Sequence, residues 1–188
     1  MRFTITGATG FIGQRLVERL RSEDHDVHLL LRKAKPGLPA GVTYSLWDAL
    51  QQEPAAGSIA GTDIVIHLAG EPVAQRWTKA VKERIRMSRV AGTQRLVQAM
   101  AMMPEPPRAL ISASAIGYYG SRGDEVLTEE SGAGEGYLAD VSREWEAAAD
   151  LAEPLGTRVV KVRIGIVLGE AAGALGKMMP MSRGGLGG

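Results

Sequence analysis

The stretch that decides the fold is Gly7-Ala8-Thr9-Gly10-Phe11-Ile12-Gly13, which separates two segments of different periodicity. Residues 2–6 alternate in the way that predicts a strand, and in residues 14–20 the apolar side chains recur at helical spacing. A glycine turn between a strand and a helix presents backbone N–H groups to an anion at the helix N-terminus. The pattern is typical of a dinucleotide-binding turn; the alternative is a turn that needs glycine for its backbone alone.

The rest of the chain continues to alternate between strand and helix patterns. Apolar runs at 27–31, 42–46 and 63–68 predict strands buried on both faces of a parallel sheet, and two further strands are predicted at 109–112 and 158–164. Residues 78–103 predict one long helix or two joined helices, and residues 136–153 predict another. This order predicts an α/β protein with a Rossmann-type doubly wound parallel sheet and helices on both faces.

Composition narrows the classes of partner. The chain has 188 residues, a net charge of +1, no cysteine and 45% hydrophobic residues, which is ordinary for one globular domain. Without a basic surplus we expect neither nucleic acid nor an anionic membrane as a partner. No metal site is expected, because thiolates are absent and the histidines show no ligand spacing. No segment approaches the ~20 apolar residues of a membrane span, so we expect a cytoplasmic protein.

The end of the second strand indicates which dinucleotide binds. Proteins that bind NAD usually carry an acidic residue there to hold the ribose hydroxyls, but this strand ends Leu31-Arg32-Lys33. A guanidinium is well shaped for the extra 2′-phosphate of NADP, so we predict NADP, held by Arg32 together with Lys33. The alternative is that both side chains are simply solvated.

Further motifs are spread over nearly the whole chain. They are Gly7–Gly13, His67–Pro72, Arg76–Thr78, Ser88–Thr93, Ser112–Gly120, Gly123–Ser131, Trp145–Ala148 and Arg163–Gly169. Through these motifs the chain resembles the extended short-chain dehydrogenase/reductase superfamily, and more closely its atypical epimerase-like branch, the bacterial YfcH-like proteins, which are NAD(P)-dependent nucleotide-sugar epimerase homologues.

The resemblance also implies a domain organisation. Residues 1–169 would form the NADP-binding Rossmann domain, and residues 170–188 would begin a smaller substrate-binding region that is largely missing. The alternative for the glycine-rich stretch at 182–188 is a frayed terminus.

By the same resemblance, several residues besides Gly7, Gly10 and Gly13 would contact the cofactor. They are Thr9, Phe11 and Ile12 within the turn, Trp47 on the adenine side, Leu68, Ala69 and Gly70 after the fourth strand, and Ser112 in the fifth. Asp48 beside Trp47 is either part of the adenine contact or a helix N-cap. His67 is expected to be a sheet histidine rather than a proton shuttle.

The catalytic pattern of the superfamily is only partly present. Ser114 matches its catalytic serine, and Arg89 stands where an asparagine is usual. The Tyr-x-x-x-Lys pair is absent, because Leu138 and Ser142 occupy its positions. An ordinary tyrosine with a pKa near 10 is only about one part in a thousand ionised at pH 7, so losing the nearby ammonium removes most of the base.

Other groups must then move the proton, or the reaction differs. The candidates are Tyr118, Tyr119 and Tyr137, with Ser114 to polarise a carbonyl and Arg89 to supply positive charge. The alternative is that the tyrosines only pack and hydrogen-bond.

The resemblance implies an NADP-dependent oxidoreductase or epimerase-like enzyme that acts on a small polar carbonyl compound or a nucleotide-sugar-type substrate. The alternative is a non-catalytic NADP-binding sensor or partner-binding protein. The resemblance also implies a homodimer that pairs the helices at 78–103 and 136–153.

Overall fold

The computed structural model describes residues 1–55 and 57–169. The elements follow one another as β1 Arg2–Thr6, α1 Phe11–Ser22, β2 Asp26–Leu31, β3 Val42–Leu46, β4 Ile64–His67, α2 Lys79–Ala101, β5 Ala109–Ala115, α3 Tyr137–Asp150 and β6 Arg158–Ile164. Short 3₁₀ turns follow β5 at Ile116–Tyr119 and α3 at Glu153–Leu155. The predicted region at 170–188 lies outside the described residues.

All six strands form one parallel sheet in the order β3-β2-β1-β4-β5-β6. The order reverses between β1 and β4, and in doubly wound sheets ligands bind at that point, outside the carboxyl ends of the strands. The predicted fold class is therefore confirmed.

The structure decides between the two alternatives for residues 78–103, and it contradicts the prediction for one strand. The segment at 78–103 is a single helix, which begins after Thr78, whose side chain accepts a hydrogen bond from the Val81 backbone N–H. β3 is not buried on both faces, as its apolar run had predicted. It is an edge strand, and Tyr44 and Leu46 are 43% and 55% exposed because no further strand or helix among the described residues covers that edge.

The sheet packs against helices on both faces. On one face, Phe3, Ile5 and Leu29 of the sheet pack with Val17 and Leu20 of α1. On the other face, a second core joins the sheet to α2 and α3, and its buried residues include Leu30, Val65, Leu96, Val97, Met100, Leu110 and Ala149. In the described part of the chain, no helix is both long and apolar enough to cross a membrane.

The face toward α2 and α3 also carries buried polar side chains. Side chains alternate between the two faces of a strand, so Thr4 and Thr6 of β1 share this face with His67 of β4 and with Ser112 and Ser114 of β5. Buried polar groups are costly unless they are hydrogen-bonded, so the partners of these groups define the local structure.

Two methionines near the end of α2 test the core. Met100 is fully buried and Met102 is 85% exposed. We predict that Met100→Ala lowers the free energy of unfolding by about 2–5 kcal/mol, because it removes buried apolar area and leaves a cavity. The matched control Met102→Ala changes it by less than about 0.5 kcal/mol. Urea denaturation of both variants measures this, and equal losses would contradict the described packing.

Candidate functional site

A cleft of about 760 Å³ opens where β1, β2 and β4 end. Nine of the residues predicted to bind the cofactor line it: Gly7, Thr9, Gly10, Arg32, Lys33, Trp47, Leu68, Ala69 and Gly70. Phe11, Ile12 and Gly13 instead form the first turn of α1 below it. The volume lies within the range of small-molecule and cofactor sites.

The glycine turn is fixed by close backbone approach. Gly7 has φ +69°, and a Cβ there would lie 2.6 Å from the carbonyl carbon of Leu68. A Cβ on Gly13 would lie 2.6 Å from Cα of Ala8. Only glycine fits these two positions, which bring β1, the loop after β4 and the start of α1 together.

The N-terminus of α1 is open to an anion. Gly10 is its N-cap and supplies no side-chain hydrogen bond, and the first turn of the helix contains no acidic residue. The first N–H groups of a helix have no partner within the helix, and the helix dipole adds partial positive charge there. This end of the helix can therefore accept a phosphate group.

Arg32 and Lys33 form a basic rim on the cleft just after β2. Both are exposed, and neither forms an ion pair with a carboxylate in residues 1–55 and 57–169. The two side chains are thus available to an anionic group in the cleft.

Trp47 and Asp48 form the wall opposite the glycine turn. Trp47 is 3% exposed, and its indole N–H donates to the backbone carbonyl of Gln52 at 2.8 Å. Asp48 accepts a hydrogen bond from the Leu50 N–H at 3.0 Å, so it caps a turn and not a helix. Trp47 belongs to the buried core and also lines the cleft.

A chain of hydrogen bonds holds the loop after β4. The Ala69 N–H donates to Thr6 Oγ1 at 3.1 Å, and Thr6 Oγ1 lies 2.7 Å from His67 Nδ1. At the other end, Thr93 Oγ1 lies 3.0 Å from His67 Nε2 and donates to the Arg89 carbonyl at 2.6 Å. The backbone groups at its two ends fix the direction, so Thr6 donates to Nδ1 and Nε2–H donates to Thr93.

His67 is therefore a neutral structural residue, as predicted. Its ring is fully buried, and burial, aided by the positive charge of Arg89, lowers its pKa from 6.5 to about 4. A histidine that keeps the same tautomer at neutral pH is a rigid link between the cleft and α2, not a proton shuttle.

Ser114 is held by a buried ion pair. Its hydroxyl donates to Glu146 Oε1 at 2.6 Å, and Arg163 grips both carboxylate oxygens, from Nε at 2.8 Å and from Nη2 at 2.9 Å. Burial alone would raise the pKa of Glu146, but the hydrogen bonds from Arg163 and Ser114 outweigh it and lower that pKa. Because Ser114 gives its one proton to an ionised carboxylate, it cannot polarise a carbonyl in this arrangement.

The ion pair was not identified from the sequence, although a signal was present. Glu146 shares the helical spacing of the buried positions Ala139, Ser142 and Ala149 of α3, and Arg163 lies near the end of β6. A carboxylate on a buried helix face and a guanidinium on the neighbouring strand predict each other as partners.

The three tyrosines are held in different ways. The Tyr137 hydroxyl donates to the Lys82 carbonyl at 2.5 Å, and burial raises the pKa of Tyr137. The Tyr119 hydroxyl accepts from Arg163 Nη1 at 3.0 Å. The Tyr118 ring lies 3.6 Å from the Arg163 guanidinium, and its hydroxyl has no hydrogen-bond partner among residues 1–55 and 57–169.

The two remaining predicted residues are Ser112 of β5 and Arg89 of α2. Ser112 is 1% exposed and pairs in register with His67 within the sheet, so its side chain is an interior group. Arg89 lies on α2, with its guanidinium 5.1 Å from the centre of the Trp145 ring. Among residues 1–55 and 57–169, no group of three acidic or histidine side chains is arranged to hold a metal ion.

Comparisons with known proteins agree with this architecture. Residues 3–183 match the NAD dependent epimerase/dehydratase family. A chloroplastic homologue of epimerase family protein SDR39U1 from Arabidopsis thaliana is 40% identical over 185 residues, covering 96% of this chain and 53% of that protein. The chain thus spans about half the length of that relative.

Two solved structures are similar over nearly the whole chain. The nucleoside-diphosphate sugar epimerase from Corynebacterium glutamicum has a TM-score of 0.82 and 38% identity, covering 98% of this chain and 38% of that one. Human epimerase family protein SDR39U1, solved with NADPH, has a TM-score of 0.82 and 34% identity, covering 100% and 61%.

The first prediction from the site concerns His67 and pH. The unfolded chain protonates this histidine near pH 6.5, whereas the folded protein keeps it neutral down to about pH 4. The contribution of neutral His67 to the free energy of unfolding is therefore fully present above pH 6.5. It falls by about 3 kcal/mol as the pH drops from 6.5 to 4. The variant His67→Gln has no histidine to protonate at this position and does not show this loss. The difference in free energy of unfolding between wild type and variant is therefore about 3 kcal/mol smaller at pH 4 than at pH 6.5. Urea denaturation at both pH values measures this difference, and a constant difference would contradict the assignment.

The second prediction concerns the buried ion pair. The Arg163 and Glu146 side chains are 17% and 8% exposed, so Arg163→Met leaves a carboxylate buried without its partner. We predict a loss of about 3–5 kcal/mol in the free energy of unfolding. In the control Arg143→Met, which breaks an exposed pair with Asp140, we predict a loss of at most about 1 kcal/mol. Similar losses in the two variants would refute the anchoring role of Arg163.

Proposed function

The chain belongs to the NAD dependent epimerase/dehydratase family, and from that premise we propose that it is an NADP-dependent oxidoreductase or epimerase-like enzyme. Its proposed substrate is a small polar carbonyl compound or a nucleotide-sugar-type compound. The observation that carries the choice of cofactor is the basic rim of Arg32 and Lys33 on the cleft, which forms no ion pair within the described part of the chain. Because the chain spans only part of its relatives, the activity proposed is that of the whole protein.

Two features of the cleft support a bound dinucleotide. The uncapped N-terminus of α1 suits a pyrophosphate, and Gly7 and Gly10 leave room for it. The basic rim suits a 2′-phosphate, which is a dianion that a guanidinium can hold with two parallel hydrogen bonds. Human SDR39U1 was solved with NADPH, which supports the same preference in this chain.

In the proposed reaction a bound nicotinamide supplies or accepts hydride, and the protein positions the reactants and moves a proton. Tyr118 is the proposed proton-transfer residue, because its hydroxyl is uncommitted among the described residues and its ring lies against the Arg163 guanidinium. Tyr119 and Tyr137 already use their hydroxyl groups in hydrogen bonds. Ser114 remains in the proposal as an acceptor of a hydrogen bond from a substrate hydroxyl, since its own proton goes to Glu146.

The nucleoside-diphosphate sugar epimerase from Corynebacterium glutamicum supports a nucleotide-sugar-type substrate. Epimerisation at a carbinol carbon needs only the oxidation of an alcohol and the reduction of the resulting ketone on its other face, so the cofactor returns to its starting state. An enzyme that regenerates its cofactor in every cycle needs to bind it tightly and does not need to exchange it with solution.

A second candidate function is an NADP-binding protein without catalysis. Leu138 and Ser142 on α3 provide no acid or base, and the Ser114 proton is committed to Glu146. This candidate predicts NADPH binding without turnover. Turnover by the full-length protein that is lost in Ser114→Ala would exclude it.

The prediction for the cofactor uses Arg32→Ala. We expect the wild-type chain to bind NADPH more tightly than NADH, and we expect the variant to bind NADPH at least tenfold more weakly, about 1.4 kcal/mol, while its affinity for NADH stays the same. Titrations that follow nicotinamide fluorescence measure both affinities.

The matched control is Arg19→Ala, an exposed arginine of α1 that pairs with Glu23. This variant should bind both cofactors as the wild type does. Equal binding of NADPH and NADH by the wild type, or unchanged NADPH binding in Arg32→Ala, would contradict the proposal.

A further inference from the structure

Arg89 adjoins the cleft residues Gly70 and Glu71. It reaches from α2 toward the loop after β4, and Nη1 donates to the carbonyl oxygens of Glu71 at 3.0 Å and Ile85 at 3.2 Å. Its Cζ lies 5.1 Å from the centre of the Trp145 ring, a cation–π distance. The guanidinium is therefore held in one place by groups on two helices and the loop.

The guanidinium also borders the wall of the cleft. A Cβ built on Gly70 would lie 3.1 Å from Arg89 Cζ and 3.2 Å from Nη2. Gly70, Glu71 and Ser88 all line the cleft. Glycine at position 70 thus leaves this side of the guanidinium uncovered by a side chain.

The Nε and Nη2 nitrogens of Arg89 donate no hydrogen bond within the described part of the chain. Both assigned hydrogen bonds use Nη1. Neither nitrogen is fully buried, so both can be reached by solvent or by a ligand. A guanidinium presents its N–H groups in a fixed plane, which suits two neighbouring oxygen acceptors.

The order of the strands along the cleft indicates which part of a bound dinucleotide would lie beside Nε and Nη2. If the 2′-phosphate lies at Arg32 and the pyrophosphate lies at the start of α1, the rest of the dinucleotide extends past β1 toward Gly70 and Ser88. The ribose and carboxamide of the nicotinamide half carry neighbouring oxygen acceptors. We infer that Arg89 holds the nicotinamide half of the cofactor, through Nε and Nη2, from α2.

This role is needed because α3 offers no cation at the same place. Leu138, Ser142 and Trp145 follow one another along one face of α3, and the Arg89 guanidinium lies against the last of them. The fixed positive charge beside this part of the cleft therefore comes from α2. The inference rests on the proposed function, since it requires that the cleft take a nicotinamide dinucleotide.

The test compares the whole cofactor with its adenosine half. We expect Arg89→Met to bind NADPH and NADH at least tenfold more weakly, by the same factor for both, while the dissociation constant for 2′,5′-ADP stays within twofold. Fluorescence titration of NADPH and NADH and calorimetry with 2′,5′-ADP measure these constants. The control Arg86→Met removes an arginine of the same helix that pairs with Glu144 and should leave all three constants unchanged.

Unchanged NADPH binding in Arg89→Met would overturn the inference, and so would an equal loss for NADPH and 2′,5′-ADP. If Arg89→Met does not fold, Arg89→Lys decides, because it keeps the charge and loses the planar pair of donors. A threefold rise in the ratio of the NADPH to the 2′,5′-ADP dissociation constant supports the inference, and an unchanged ratio overturns it. Failure of the proposed function shows separately, as a wild-type chain that binds no dinucleotide.

Discussion

The site depends on the buried hydrogen-bond chain that runs from the Ala69 N–H through Thr6, His67 and Thr93 to the Arg89 carbonyl. It crosses the sheet from β1 to β4 and ends on α2, so one set of groups fixes the glycine turn, the loop after β4 and the helix that carries Arg89. Only one arrangement of protons satisfies every group of this hydrogen-bond chain. A charged His67 would donate at both ring nitrogens, so Thr6 could no longer donate to Nδ1. An interior of neutral, fully paired groups is thus what makes the edge of the cleft rigid.

A second buried device lies on the same side of the sheet. Glu146 of α3 and Arg163 of β6 form an ion pair with two hydrogen bonds. Ser114 donates to Glu146, and Arg163 also contacts Tyr118, Tyr119 and the Glu129 carbonyl. Burying such a pair costs desolvation, and the geometry with two charge-assisted hydrogen bonds offsets that cost. Because the Ser114 proton goes to Glu146, this arrangement leaves Ser114 only its acceptor lone pairs for a substrate.

Most of the fold could be predicted from the sequence, because local patterns determine it. The alternation at 2–6, the glycine turn and the helical spacing at 14–20 each report on short-range structure, and their order leaves few topologies. The edge position of β3 could not be predicted, since an apolar run of five residues does not show whether another strand lies beside it. The partners of Ser114 and His67 could not be predicted either, because they come from residues 26 to 61 positions away in the chain.

In the proposed function, an NADP dinucleotide lies across the cleft from the basic rim to the loop after β4. Backbone amide NMR spectra of the chain with NADPH and with NADH test this placement. We expect both cofactors to shift the amide signals of Gly10, Phe11, Ile12, Ala69 and Gly70, and only NADPH to shift those of Arg32 and Lys33. Shifts confined to residues outside the cleft, such as Trp77 and Tyr137, or identical shifts at Arg32 with both cofactors, would contradict it.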